Sequence, residues 1–254
     1  MKLLKGGEPF FYRGGPVGAL LVHGFTGAPR EVRPLGEALA GAGCTALGVR
    51  LTHHGTWIED MFRSHWHDWY ASVLDGYHLL IDQCETIFVL GLSMGGALSL
   101  LLASERPVAG VVALATPSRP RLDSMDWRTR YARLFSLLVP TVNKGPADPD
   151  AEPGHVHYPR YPVRAIGELR ALMQEVDRRL PAVTAPALII QSRRDTSVLP
   201  ANGQYIFDRL GSADKDLLWL ERSGHIVTEG PERDLVNQAA LKFVLARCPA
   251  PASA

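Results

Sequence analysis

Residues 86–104 read TIFVLGLSMGGALSLLLAS. The run 86–90 has the apolar character of a buried strand, and the stretch after Gly96 that of an apolar helix. Between them stands Gly91-Leu92-Ser93-Met94-Gly95. A G-x-S-x-G sequence at a strand-to-helix turn is a nucleophile elbow, a turn so sharp that the serine backbone is strained and its neighbours must nearly lack side chains. Gly91, Gly95 and Gly96 meet that need, because glycine tolerates positive φ and close backbone approach. The Ser93 hydroxyl is then raised above the carboxyl edge of a sheet. The helix N-terminus beneath it adds partial positive charge and free N–H groups. The G-x-G-x-x-G spacing of a dinucleotide-binding turn is absent. A glycine-rich turn that only packs tightly is the plainer alternative, and the rest of the chain decides between them.

Upstream, residues 17–22 (VGALLV) are continuously apolar, as in a strand buried on both faces, and they end in His23-Gly24-Phe25-Thr26-Gly27. Val32, Leu35 and Leu39 have helical spacing, with Pro29 and Pro34 near the first turn and Gly41 and Gly43 at the end. Residues 44–51 read as the next strand, leading into Thr52-His53-His54-Gly55. A wide helical stripe follows over 65–83, formed by Trp66, Trp69, Tyr70, Val73, Leu74, Tyr77 and Ile81. Downstream of the elbow, 108–115 is an apolar strand closed by Thr116-Pro117. The strand pattern resumes at 187–191 and runs into Ser192-Arg193-Arg194-Asp195. A helix over 201–210 and a last strand at 217–220 lead to Ser223-Gly224-His225. A closing helix from Pro231 has Leu235, Val236, Ala239, Phe243 and Val244 as its expected buried side.

Apolar strands alternating with amphipathic helices predict an α/β fold, a mostly parallel sheet covered by helices on both faces. In such sheets ligands sit outside the carboxyl ends of the strands. The loops holding Phe25, Ser93, Asp195 and His225 all fall at such ends. The rhythm breaks only between 118 and 184, where no strong strand is visible. Tyr131, Leu134, Phe135 and Leu138 mark one short helix, and Ile166, Leu169, Met173, Val176 and Leu180 a second. Between them, prolines at 146, 149, 153, 159 and 162 exclude a long helix or strand. The expected division is a core of 1–117 and 185–247, a small cap inserted at 118–184 after the strand that follows the nucleophile helix, and a frayed tail at 248–254.

Composition narrows the function classes. A net charge of +1 gives no electrostatic case for nucleic acid or an anionic membrane. No stretch approaches the ~20 unbroken apolar residues of a membrane span, and the opening MKLLKGGEPFFYRGG does not read as a signal peptide. Three cysteines, Cys44, Cys84 and Cys248, form no close pair and no metal spacing, which points to free thiols in a reducing, cytoplasmic setting. Oligomeric state leaves no signature in the sequence.

A serine is a poor nucleophile until a base takes its proton, and the base needs a third group to orient it. Asp195 follows the next-to-last strand and His225 the last, giving the order Ser…Asp…His. Ser93 would attack an acyl carbon, His225 would take its proton and pass it to the leaving alcohol, and Asp195 would fix the His225 tautomer. The oxyanion would receive the backbone N–H groups of Met94 and Phe25. Asp123 and Asp126, after the preceding strand, are rival acids, and His23, His53 and His54 are rival bases. His23, just before the oxyanion loop, is expected to brace it by hydrogen bonding. The pairs His65-x-His67 and His155-x-His157 lack a third ligand at metal spacing, so no metal is expected.

Taken together, EPFFYRGG, LLVHGFTGAPREVRPLGEALA, the Asp68-Trp69 pair, GLSMGG, SRRDTSV and SGH make the chain resemble an α/β-hydrolase of the bacterial carboxylesterase and monoacylglycerol lipase group. HGFTG followed by a helix is fairly specific to that group, whereas G-x-S-x-G alone is not. The resemblance implies the α/β-hydrolase fold, a small cap, and cofactor-free hydrolysis of short- to medium-chain esters or monoacylglycerols. Two features depart from the group: Ser192, where related chains often carry glycine, and residues 143–162, which match no pattern of the group. Dehalogenases and epoxide hydrolases of the same fold need aspartate at the elbow, and Ser93 argues against both. A thioesterase or a cofactor-free peroxidase would use the same triad, and a ligand-binding module would be expected to have lost part of it.

Overall fold

In the computed structural model, Val17–Val22 (β2) and Thr86–Leu92 (β4) lie side by side and parallel at the centre of a seven-stranded sheet, in register from Val17 opposite Thr86 to Val22 opposite Gly91. The structure describes residues 3–118, 131–144, 148, 151 and 154–248. The remaining strands are Phe10–Tyr12 (β1), Thr45–Val49 (β3), Gly110–Leu114 (β5), Ala187–Ser192 (β8) and Lys215–Leu220 (β9). Their order is β1-β3-β2-β4-β5-β8-β9, all parallel except β1, which runs antiparallel to β3. The chain winds outward from β2 to β3, then crosses back to β4 and continues in the other direction. This reversal opens a crevice between the carboxyl ends of β2 and β4, the usual position of a ligand in a doubly wound sheet.

Strand side chains alternate between two cores, as the pleat demands. Leu20 and Val22 of β2 and Ile87 and Val89 of β4 face the layer made by Trp66–Ile81 (α2), Met94–Glu105 (α3) and Val163–Arg179 (α5). Ala19, Leu21, Phe88 and Leu90 face the opposite layer, Arg33–Gly41 (α1) and Arg233–Leu245 (α7). Helix α3 is buried from Met94 through Ala103 on every side, which accounts for its unbroken apolar sequence. Ala201–Arg209 (α6) lies between β8 and β9 in the chain and packs on both. No described helix is long and apolar enough to cross a membrane.

Three details differ from the sequence reading. Within 118–184 two short strands form, Thr141–Asn143 (β6) and Arg160–Pro162 (β7), paired antiparallel with Thr141 opposite Pro162. A two-strand ribbon consists wholly of edges, so the prolines that argued against a strand do not prevent it. The first insert helix is only Ala132–Phe135 (α4), and Leu134, Phe135, Leu137 and Leu138 are exposed. On α7 the buried stripe is Val236, Ala240, Phe243 and Val244, with Leu235 turned to solvent, because one residue along a helix rotates the side chain by about 100°. By contrast the second insert helix, α5, buries Leu169, Leu172, Met173 and Val176 in the core shared with α2 and α3. Asp123 and Asp126 lie outside the described residues.

The central position of β2 gives a stability test. Leu20 is fully buried, and Leu20→Ala is expected to cost about 2–5 kcal/mol in urea unfolding, since both the transfer term and a cavity are lost. Leu138→Ala, at a position 83% exposed, should change stability by less than about 0.5 kcal/mol.

Candidate active site

The elbow is built by contact between strand ends. A Cβ at Gly91 would run into the Gly95 carbonyl, and one at Gly95 into the Val22 carbonyl at the end of β2. Closed this tightly, the turn places Ser93 at φ 54°, ψ −120°, a conformation costing a non-glycine residue about 1–3 kcal/mol. The Ser93 N–H donates to the Leu114 carbonyl at 2.8 Å, so β5 helps hold it there.

Three loops bring the predicted residues together. His225 Nε2 lies 3.0 Å from Ser93 Oγ, and His225 Nδ1 lies 2.8 Å from Asp195 Oδ2. An ionised carboxylate can only accept, so Nδ1 carries the proton and Nε2 presents its lone pair to the serine hydroxyl. The Asp195 side chain is fully buried, and its other oxygen accepts the N–H groups of Ser197 and Val198, each at 2.8 Å. Burial by itself would lower the His225 pKa. The Asp195 charge and hydrogen bond, with smaller contributions from Asp148 and Glu31, outweigh it and leave His225 above its ordinary 6.5.

The expected oxyanion donors are the backbone N–H groups of Met94 and Phe25. Met94 begins α3, so its N–H has no acceptor one turn earlier, and neither it nor the Phe25 N–H takes a backbone hydrogen bond among the described residues. His23 Nδ1 donates to the Gly24 carbonyl at 2.9 Å while Nε2 accepts the Leu51 N–H at 3.1 Å. Fully buried, His23 has its pKa lowered to about 4 and stays neutral, a brace for the loop with neither ring nitrogen free for the serine. His54 Nδ1 lies 3.1 Å from the Thr52 carbonyl, and burial drives its pKa far down as well. His53 stands at a positive φ of 68°, with its carbonyl accepting the Tyr158 hydroxyl. The Phe25 ring is set between Trp69 at 5.8 Å and Tyr161 at 5.9 Å.

Several residues that position this site went unassigned in the sequence. Glu31 Oε2 accepts the Gly24 N–H at 2.8 Å. Burial raises the Glu31 pKa, against the opposing charge of His155. Ser192 donates its hydroxyl to the Ser223 carbonyl and accepts the Arg194 N–H, so it joins the Asp195 loop to the His225 loop. A glycine there would lack both bonds. Burial would raise the Glu232 pKa, but the N–H groups of Arg222, Ser223 and Glu221 and the Ser223 hydroxyl hold it down to about 2, and the same bonds fix the approach to His225. Only Ser192 carried a signal, as a departure from the usual glycine; the two glutamates lie at ordinary helix-start positions. Of the histidine pairs, His65 contacts Glu168 and Arg164, and His155 contacts Glu229 and Glu31. Among the described residues no group of three or more His, Cys, Asp or Glu is placed to hold a metal ion.

Comparisons with known proteins place the chain in a family. Residues 18–232 match the family described as "Hydrolase_4: Serine aminopeptidase, S33", and the chain belongs to that family. It is 38% identical to a thermostable monoacylglycerol lipase of Bacillus sp. (strain H-257) over 95% of both chains. It is 30% identical to a carboxylesterase of Bacillus subtilis (strain 168) over 93% of this chain and 96% of that one. A solved structure described under the metagenome-derived lipolytic enzymes LipS and LipT superposes with a TM-score of 0.89 at 34% identity, covering 96% of this chain and all of the other. The α/β-hydrolase fold expected from the sequence is therefore the fold of the chain.

Two outcomes follow from the site geometry. A base must be neutral to accept a proton, and the His225 pKa is raised, so kcat/KM should climb with pH through a midpoint above 6.5. Asp195→Asn keeps the shape but can present an N–H to Nδ1 and favour the wrong tautomer, which in a serine protease lowers kcat about 10⁴-fold. Here a loss of at least about 10²-fold in kcat/KM is expected, with Asp123→Asn and Asp126→Asn far milder and circular dichroism confirming the fold.

Proposed function

We propose that this chain is a carboxylic ester hydrolase that cleaves short- to medium-chain acyl esters or monoacylglycerols through an acyl-serine intermediate. The observation that carries the reading is the unbroken relay Ser93 Oγ, His225 Nε2, His225 Nδ1, Asp195 Oδ2, with links of 3.0 and 2.8 Å. Ser93 attacks the ester carbonyl as His225 takes its proton. The Phe25 and Met94 N–H groups receive the oxyanion, and His225 returns the proton to the leaving alkoxide. Water then repeats the sequence on the acyl-serine. The family description names a peptidase, yet the two relatives matched over nearly their whole length are a monoacylglycerol lipase and a carboxylesterase, and they weigh more heavily for an individual chain.

We assign the lid function to the described residues that precede α5, 131–144, 148, 151 and 154–162, because α5 itself packs into the core with α2 and α3. The core would then be 1–117 and 185–247, with α5 structurally attached to it. The three free thiols fit a cytoplasmic setting, and the substrate is a small-molecule ester without nucleic acid or metal in the reaction.

Labelling with a fluorophosphonate tests the reading directly. The adduct should map to Ser93, and Ser93→Ala should abolish both labelling and hydrolysis of p-nitrophenyl acyl esters. Hydrolysis should be indifferent to chelator. Activity lost to chelator and restored by zinc, or an adduct elsewhere, would overturn it.

A further inference from the structure

Described residues of the proline-rich stretch 143–162, which fits no pattern at the sequence level, touch both catalytic loops. On the oxyanion side, the Lys144 ammonium donates to Thr26 Oγ1 at 2.7 Å, the Tyr158 N–H donates to the Thr26 carbonyl at 3.0 Å, and Tyr161 stacks on Phe25. On the histidine side, Asp148 Oδ2 accepts the backbone N–H of His225 itself at 2.7 Å and that of Ile226 at 3.0 Å. His155 stands between the two, with Nδ1 3.0 Å from Glu229 and Nε2 3.5 Å from Glu31, both carboxylates being almost fully buried. Glu229 follows His225 in the same loop, and Glu31 holds the Gly24 N–H.

We propose that Asp148 is a positioning residue for the reaction: reaching in from the insert, its carboxylate fixes the His225 backbone and places a second negative charge beside the imidazole. The proposal rests on the reading of Ser93 and His225 as nucleophile and base. Two charge-assisted bonds to consecutive N–H groups determine where the His225 ring can reach. A displacement of about 1 Å there is enough to cost of order 10²-fold in rate. The charge acts separately from the bonds. It favours the imidazolium that forms as Ser93 gives up its proton, in company with Asp195 and Glu31. Gly224 belongs to the same contact, since a Cβ on it would meet the Asp148 carboxylate.

The experiment compares Asp148→Ala with Asp148→Asn on p-nitrophenyl butyrate and on a fluorophosphonate. Asp148→Ala removes both bonds and charge. It should lower kcat by about 10- to 100-fold with KM nearly unchanged, slow the labelling of Ser93, and move the acid limb of kcat/KM down by about half a pH unit. Asp148→Asn keeps an accepting oxygen, so it should recover much of kcat while retaining the displaced limb. Wild-type kcat, labelling rate and pH midpoint in Asp148→Ala would overturn the proposal. So would a rate loss in either folded variant with the midpoint unmoved, the mark of a packing role alone. If Asp148→Ala fails to fold, the limb of Asp148→Asn decides. Should the wild-type protein be labelled at Ser93 yet hydrolyse no ester, the substrate reading fails, and the labelling rates and their pH dependence still judge Asp148.

Discussion

The contact of Gly95 with the end of β2 is the constraint on which the rest of the site depends. With no side chain at 95, α3 starts against the Val22 carbonyl, and the serine before it is forced to a positive φ of 54°. The same contact sets the spacing between the elbow and the loop that follows β2. The two proposed oxyanion donors therefore come from backbone segments that cannot separate without opening the sheet. Backbone donors placed this way need no reorganisation when charge develops, which is where most electrostatic stabilisation of a transition state originates. The strain at Ser93 is sustained by the packing around it, for β4 is paired on both sides and α3 is buried from Met94 through Ala103.

Around that contact the protein concentrates negative charge, although its net charge is only +1. Asp195, Glu31, Glu229, Glu232 and Asp148 all lie at or behind the catalytic loops. Each accepts hydrogen bonds from backbone N–H groups or from a histidine. Burying a carboxylate is costly unless its lone pairs are satisfied, and here the partners that satisfy them are the loops whose position matters. Lys144 and His155 supply positive charge within the same cluster. For Lys144 burial is the dominant effect and lowers its pKa to about 8, with Glu31 opposing. Burial would lower His155 as well, but Glu229 and Glu31 raise it overall.

The fold was legible because it depends on local pattern. The apolar runs read at 17–22, 86–90, 108–115 and 187–191 are where the strands form, and the chain order of Ser93, Asp195 and His225 places them at strand ends whatever the loops do between. What stayed illegible depends on contacts between distant residues. Nothing near Glu31 announces that it will hold Gly24, and Asp148 is one acid among prolines until the fold brings it to His225. The ribbon of β6 and β7 was hidden because proline, which excludes a central strand, is tolerated in one that has only edges. Leu235 misled for a simpler reason: near a helix start, a shift of one position turns an apolar residue away from the core.

The order of the strands also bears on how the chain reaches this state. β2 forms early in the sequence, but its partners are β3 and the more distant β4, and β1 finds no partner until β3 exists. The centre of the sheet thus closes only through loops that span the intervening helices, and such closure carries an entropic cost before any pairing is gained. Parallel sheets assembled from non-local pairs fold slowly for this reason. While β4 is missing, the apolar edge of β2 stands open to other chains. During synthesis the nucleophile turn cannot take its strained shape until the ends of β2 and β5 are both in place. The same backbone contacts that set the geometry at Ser93 therefore require β2, β4 and β5 together, and the loops that carry Asp195 and His225 join them only with β8 and β9.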